Sequence, residues 1–161
     1  MKLSCAKSDF THAISIVSKA VSSKPQTPIL SGIYLKAEGG RLELQATNYE
    51  IGFITSIPAD VESEGTIVLS GHYLQEVIRR LPNDEVFLSY DEEKKMTIIR
   101  SGTAHYNLLV MKAEDFPVVQ RIPGEISFDI RDNQLRSLIR KTVFASSTDE
   151  SRPIFTGVFM D

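Results

Sequence analysis

An eight-residue string occurs twice in this chain, in the same register. Pro28-Ile29-Leu30-Ser31-Gly32-Ile33-Tyr34-Leu35 returns as Pro153-Ile154-Phe155-Thr156-Gly157-Val158-Phe159-Met160, 125 residues later. The same offset carries Phe10, Ala13 and Ile14 onto Leu135, Leu138 and Ile139, and Leu3 and Cys5 onto Phe128 and Ile130. Agreement of a strand, a helix stripe and a proline-led strand in one register marks an internal repeat. The chain therefore reads as one full copy, residues 1–121, then a linker and the unfinished start of a second, 122–161. FPVVQRIPG (116–124) has the prolines and glycine of a connection between copies.

Within the first copy the pattern predicts an α+β domain of two strand-helix-three-strand units. Residues 2–6 read as a strand. Ser8 is the expected cap of a helix over 9–21 whose stripe is Phe10, Ala13, Ile14, Val17 and Val21. SSKPQTP (22–28) breaks it, because two prolines cannot continue a helix. Strands are expected at 29–36, 41–47 and 51–57, with an acidic loop from Pro58 to Gly65. The pattern then restarts. A strand at 66–70 leads through Ser70 into a helix over 71–81, with Tyr73, Leu74, Val77, Ile78 and Leu81 as its apolar stripe. Three strands at 85–90, 95–100 and 104–111 complete the copy. Both amphipathic helices are expected on one face of the antiparallel strands.

Charge is unevenly distributed. The net charge of −3 argues against a generally basic nucleic-acid binder. Yet residues 1–36 carry Lys2, Lys7, Lys19, Lys24 and Lys36 against Asp9 alone, whereas residues 37–69 carry Arg41 against six acids. An acidic protein with locally basic helices can still turn one positive surface to DNA, although a solvated face is the plainer reading of such charge. No apolar run approaches the roughly 18–20 residues that span a bilayer, and Ser4, Lys7, Ser8 and Asp9 interrupt any signal-peptide core. The single cysteine, Cys5, excludes an internal disulfide and fits a reducing cytoplasm.

Chemistry of its own finds little support. His12, His72 and His105 lie on two predicted helices and a strand without metal-ligand spacing. Cys5 has no identifiable activating partner. Asp91-Glu92-Glu93 followed by Lys94 and Lys95 reads as a solvated hairpin turn, and no glycine-rich phosphate loop precedes a helix. No catalytic residue, metal or cofactor is expected.

TPILSGIYL after the first helix, DFP at the end of the first copy and DESRPIFTGV near Asp161 together resemble the bacterial DNA polymerase III beta sliding clamp family, over all 161 residues. The resemblance implies a DNA-clamp fold. A complete member has three such domains and closes head to tail as a homodimer, a six-domain ring with helices lining the hole and sheets outside. It encircles duplex DNA and slides without sequence specificity. Through short peptides it binds the replicative polymerase, the clamp loader and repair proteins. It would be a non-catalytic subunit.

On that resemblance Lys19, Arg79, Arg80, Arg136, Arg140 and Lys141 face the hole, each on the solvent side of its helical wheel. Lys24, in the loop after the first helix, matches a position where the family carries a basic DNA contact. Arg152 and Phe155 match two wall positions of the partner-peptide pocket, with Phe155 bulkier than the family's leucine. A core role like that of Leu30 in the first copy competes for Phe155. Leu74, Tyr106 and Leu108 are implied in the dimer contact, against a plain sheet-core reading for the last two. Two rivals stand beside the ring: a shortened clamp-fold interaction module that does not encircle DNA, and a eukaryotic-type clamp, which TPILSG and DESRP disfavour. In a protein ending at Asp161, residues 126–161 are expected to be mobile or exchanged with a neighbouring chain. They would supply one strand, one helix and one further strand, too little for a core.

Overall fold

The two strand-helix-strand units of the first copy exchange their first strands. The first unit runs β1 (Lys2–Ala6), α1 (Lys7–Val17), β2 (Gly32–Glu38), β3 (Arg41–Thr47) and β4 (Gly52–Pro58), with a short β5 (Asp60–Ser63) after it. The second runs β6 (Gly65–Ser70), α2 (Gly71–Arg80), β7 (Glu85–Asp91), β8 (Met96–Ser101) and β9 (Ala104–Met111). The strand order is β4-β3-β2-β6-β9-β8-β7-β1-β5, antiparallel throughout. Thus β1 completes the meander of the second unit by pairing β7, and β6 completes the first by pairing β2. Each unit's own strands pair with one another, and the first strand of the other unit extends them.

The computed structural model describes residues 1–22, 27–120, 128–149 and 151–160. The chain divides into two compact parts, Met1–Gln120 and Arg121–Asp161.

Alternation along the strands sends one set of side chains under the helices. Ile33, Leu35 and Ala37 of β2, Leu42, Leu44 and Ala46 of β3, and Ile67 and Leu69 of β6 join Leu3, Val86, Leu88 and Ile99 in one core. Phe10, Ala13, Ile14 and Val17 of α1 and Leu74, Val77 and Ile78 of α2 close it from above. The two helices touch each other and share this core, so they lie side by side on one face of the sheet. Full burial of each such large apolar side chain contributes roughly 1.5–3 kcal/mol.

A smaller cluster covers the other face. Ile29, Leu30, Val68 and Phe116 are buried together against Tyr34 and Met111, and the Tyr34 and Phe116 rings stack with centroids 5.3 Å apart. Further along, Gln45 Oε1 accepts the Val119 N–H at 2.9 Å while its Nε2 donates to Glu43 at 2.8 Å. The chain leaving β9 is therefore strapped back across the sheet. Gly32 lies beneath this cluster, where a Cβ would sit 2.5 Å from a Val68 methyl and 2.9 Å from the Ile29 carbonyl oxygen. Gly32→Val should overpack the site and cost about 1–3 kcal/mol or more, measurable as a lowered denaturant midpoint with the m-value unchanged.

Several local expectations need correction. Ser8 is not the cap: α1 starts at Lys7 with Ala6 before it and no side-chain cap. The Lys7 N–H donates instead to the Asp84 carbonyl at 2.6 Å, so a tertiary contact satisfies the orphan donor. Ser70 precedes α2 but makes no side-chain cap either. The helix expected to reach residue 21 tightens into a 3₁₀ turn, Ser18–Ala20. The strand expected from 29 begins at Gly32, after a 3₁₀ turn Pro28–Ser31 that Pro28 initiates. The acidic loop contains a strand, β5, because its backbone pairs with the open edge of β1.

The repeat is reproduced in the backbone of the second part. Its helix α3 (Asp132–Thr142) begins and ends 125 residues after α1, and the 3₁₀ turns Val143–Ala145 and Pro153–Thr156 keep the same offset from Ser18–Ala20 and Pro28–Ser31. Even a loop bond recurs: Ser22 N–H to the Leu30 carbonyl matches Ser147 N–H to the Phe155 carbonyl. The strands expected near 128–130 and 153–160 do not form among the described residues. A strand needs a ladder partner, and no strand equivalent to β3, β6 or β7 is described beyond β9 to supply one.

Candidate nucleic-acid interface and subunit edge

Two ties fix how the helices run. At one end the Lys7 ammonium donates to the Leu81 carbonyl, joining the start of α1 to the end of α2. At the other, Gly71 opens α2 so close to the end of α1 that a Cβ would lie 3.1 Å from Val21. The helices are therefore antiparallel, and a larger residue at Gly71 would require Val21 to give way by a few tenths of an ångström.

This arrangement separates the cations. Lys19 is exposed at the C-terminal end of α1, while Arg79 and Arg80 occupy the last turn of α2, at the other end of the pair. Ten residues at about 1.5 Å rise put roughly 15 Å between these ends. The arginines are favourably placed against the negative end of the helix dipole. Both approach Glu76, Arg80 at 2.9 Å and Arg79 at 3.9 Å, but these exposed pairs are weak and readily exchanged for a phosphate. Between the ends the solvent face shows Thr11, His12, Ser15, His72 and Gln75, without a carboxylate except Asp9 and Glu76. Lys24 lies outside the described residues.

On α3, Arg136 reaches Asp132 at 3.8 Å, and Arg140 and Lys141 form a basic last turn; all three cations are exposed. By the repeat offset, Arg136 and Arg140 correspond to Thr11 and Ser15 on α1. The second copy thus carries charge along the helix where the first carries hydroxyls.

Tyr106 and Leu108 point from β9 toward the helix side and are half-buried against the main core. β6 pairs β9 only at Val68–Met111 and Leu69–Val110. Along Ala104–Leu109, β9 therefore has β8 on one side and, among the described residues, no strand on the other. Leu109, on the outer face of this open edge, is 73% exposed. Leu74 is fully buried beneath α2 and presents nothing to a partner in this state. The exposed neighbour is Tyr73, 61% accessible and tilted against His72 at 5.5 Å. The sequence reading put Tyr73 in the apolar stripe, yet Leu74, Val77, Ile78 and Leu81 already fill i, i+3, i+4 and i+7, which leaves Tyr73 outside the stripe, about 40° beyond Val77 at its edge.

In the second part, Phe155 lines a groove of about 590 Å³ with Thr142, Ala145, Ser146, Ile154 and Phe159. Arg152 does not line it, although its carbonyl accepts the Phe155 N–H at 3.0 Å. The repeat-equivalent Leu30 is buried under Phe116, whereas Phe155 is 56% exposed.

Cys5 is buried, and burial above all, with Asp9 and Glu85 adding, pushes its thiol up to about 12. It is neutral at pH 7 and a poor nucleophile. Among the described residues no group of three His, Cys, Asp or Glu side chains is placed to hold a metal. The Asp91 carboxyl is held below its usual range by the Lys94 ammonium at 3.0 Å, as a solvated turn requires. No helix among the described residues is long and apolar enough to cross a membrane.

A family model described as DNA polymerase III beta subunit, N-terminal domain, matches residues 1–120. The beta sliding clamps of Synechocystis and Bacillus subtilis are 33% and 34% identical, each over 98% of this chain. The chain spans only 42% and 44% of their lengths. Among solved structures, the beta subunit from DNA polymerase of Streptococcus pyogenes superposes with a TM-score of 0.91 at 29% identity, covering 98% of this chain and 43% of that one. The DNA polymerase sliding clamp of Bacillus subtilis gives 0.90 at 33% identity, over 96% and 42%.

Proposed function

We infer that this chain, which belongs to the DNA polymerase III beta subunit family, forms part of a ring that encircles duplex DNA and tethers the replicative polymerase. The observation that carries this reading is the antiparallel helix pair, with Lys19 exposed at one end and Arg79 and Arg80 at the other. Duplex DNA carries a phosphate charge every ~1.7 Å of axis, so separated cations attract the backbone at any rotational setting. Sliding requires that the contacts be to phosphates, which carry no sequence information, and not to base edges. The subunit is non-catalytic and works in the cytoplasm as an accessory of the polymerase. A module that keeps this fold without encircling DNA is not favoured, since the relatives matched along nearly the whole chain are themselves named clamps.

Lys19, Arg79, Arg80, Arg136, Arg140 and Lys141 supply the positive lining, together with Lys24. The open edge of β9, with Tyr106 and Leu108, forms the head-to-tail contact with a second copy, and Tyr73 takes the exposed place on α2 that Leu74 cannot. Phe155 and Arg152 contribute to a pocket for short peptides of the polymerase, clamp loader and repair proteins. The test uses the complete protein with Lys19, Arg79 and Arg80 all replaced by alanine. Each lost phosphate contact lowers the slope of log affinity against log salt by ~0.9. The variant should therefore lose about 2.7 from the slope for each protomer whose three cations contact phosphate, and equally on duplexes of unrelated sequence. A wild-type slope would remove these residues from the DNA contact.

A further inference from the structure

The hairpin joining β3 to β4 holds a tyrosine in a conformation that tyrosine resists. Tyr49 has φ of 76°, in the left-handed region where glycine or asparagine sits without steric cost. The turn leaves it no alternative. Thr47 Oγ1 accepts the Tyr49 N–H at 3.1 Å and donates to the Ile51 carbonyl at 2.8 Å. Asn48 Oδ1 accepts the N–H groups of Glu50 and Ile51 at 3.0 and 2.9 Å. The ring so presented is 68% exposed and stacks on no aromatic ring among the described residues, and Ile51, two residues on in the same turn, is 48% exposed. Folding alone would be served better by glycine, so the return on this strain lies outside the fold.

We propose that Tyr49 and Ile51 form an apolar knob that docks into the tethered polymerase, in a pocket edged by lysine or arginine. Three observations select a protein of that chemistry. Glu50 is exposed between the two apolar residues and would repel phosphates. The hairpin's only cation, Arg41, is at its far end and bonded to Ser56. The Ser18–Ala20 turn packs on β3 and β4, whereas Asp9 shares a cleft with Gly40 and Pro58. The tip therefore lies at the C-terminal end of α1, beside the helix face assigned to DNA, within reach of a protein working on the threaded duplex. A rigid second contact would also fix the orientation that a flexible peptide tether leaves free. The choice of partner rests on the ring reading.

The experiment measures binding of the complete protein to the catalytic subunit of its cognate replicative polymerase, with Tyr49→Gly and Ile51→Ser as variants. Tyr49→Gly should bind about tenfold more weakly, with a melting temperature no lower than wild type and unchanged affinity for duplex DNA. Ile51→Ser should weaken binding in the same assay. Wild-type polymerase affinity in both variants overturns the assignment, as does a loss confined to duplex DNA, which would mark the tip as a nucleic-acid contact. If the unsubstituted protein fails to bind the polymerase, the tethering reading falls and this assignment with it.

Discussion

Replacing Phe10 by alanine should destabilise residues 1–120 by about 3–5 kcal/mol, the range for emptying a fully buried aromatic site. Phe10 has no exposed surface and lies where α1 meets the sheet, in the core that also holds Leu74 and Ile78 of α2. Its neighbours cannot collapse into the void, because the ends of α1 are fixed. Lys7 bonds to Leu81 and Asp84 at one end, and Val21 abuts Gly71 at the other. Hydrogen exchange of the α1 and β3 amides in denaturant reports the opening energy of this part directly. A loss below about 1 kcal/mol would mean that the helix relaxes toward the sheet, contrary to a site closed on both sides. Because Lys19, Arg79 and Arg80, proposed above to face DNA, sit on these same helices, the variant should also bind DNA less well in the complete protein, without any cation having been removed.

What the sequence made legible was whatever depends on a single element. The 3.6-residue stripe placed Phe10, Ala13, Ile14 and Val17 inside and Lys19 outside, and the alternation in RLELQAT placed Leu42, Leu44 and Ala46 on the core face. The repeat offset proved accurate to the residue at both ends of α1 and α3. What escaped depends on a partner remote in sequence. The cap of α1 is a carbonyl at Asp84, and β5 exists because β1 needs an edge neighbour. The string beginning at Pro153 does not extend as a strand among the described residues, although Gly32–Leu35 does, because the latter has β3 and β6 beside it.

The candidate site divides along the same line. Helical wheels showed which cations face solvent, but their separation to opposite ends follows from the antiparallel crossing, which the Lys7 and Gly71 ties establish. Tyr73 was misplaced because aromatic character was taken for burial; its angular position on α2 argued otherwise. The strained Tyr49 left no trace in the pattern, since Asn48 alone suffices as a turn signal there.

Replacing Tyr106 and Leu108 together by alanine should convert the complete protein from dimer to monomer at micromolar concentration. Both side chains stand on the stretch of β9 that has, among the described residues, no strand on its second side. An exposed edge of this kind pairs readily with another chain, and natural proteins otherwise blunt it with charge or proline. Ala104–Leu109 contains no proline and no Asp, Glu, Lys or Arg. Covering of this edge by a second copy, as proposed, would account for an apolar Leu109 at 73% exposure in the isolated chain. Backbone bonds across the junction would survive the substitution, so the loss measures the side chains alone. Central apolar anchors contribute about 2 kcal/mol each on truncation. A ring closed head to tail by two copies has two such seams, so both anchors together would raise the dissociation constant by about a thousandfold per seam, at 1.4 kcal/mol per decade, and more when both seams part. Sedimentation velocity over a dilution series reads the shift. Circular dichroism of the same samples must show the native fold, since half of each side chain also packs on the core. A folded variant that sediments as the wild-type dimer at every concentration would take the β9 edge out of the subunit contact.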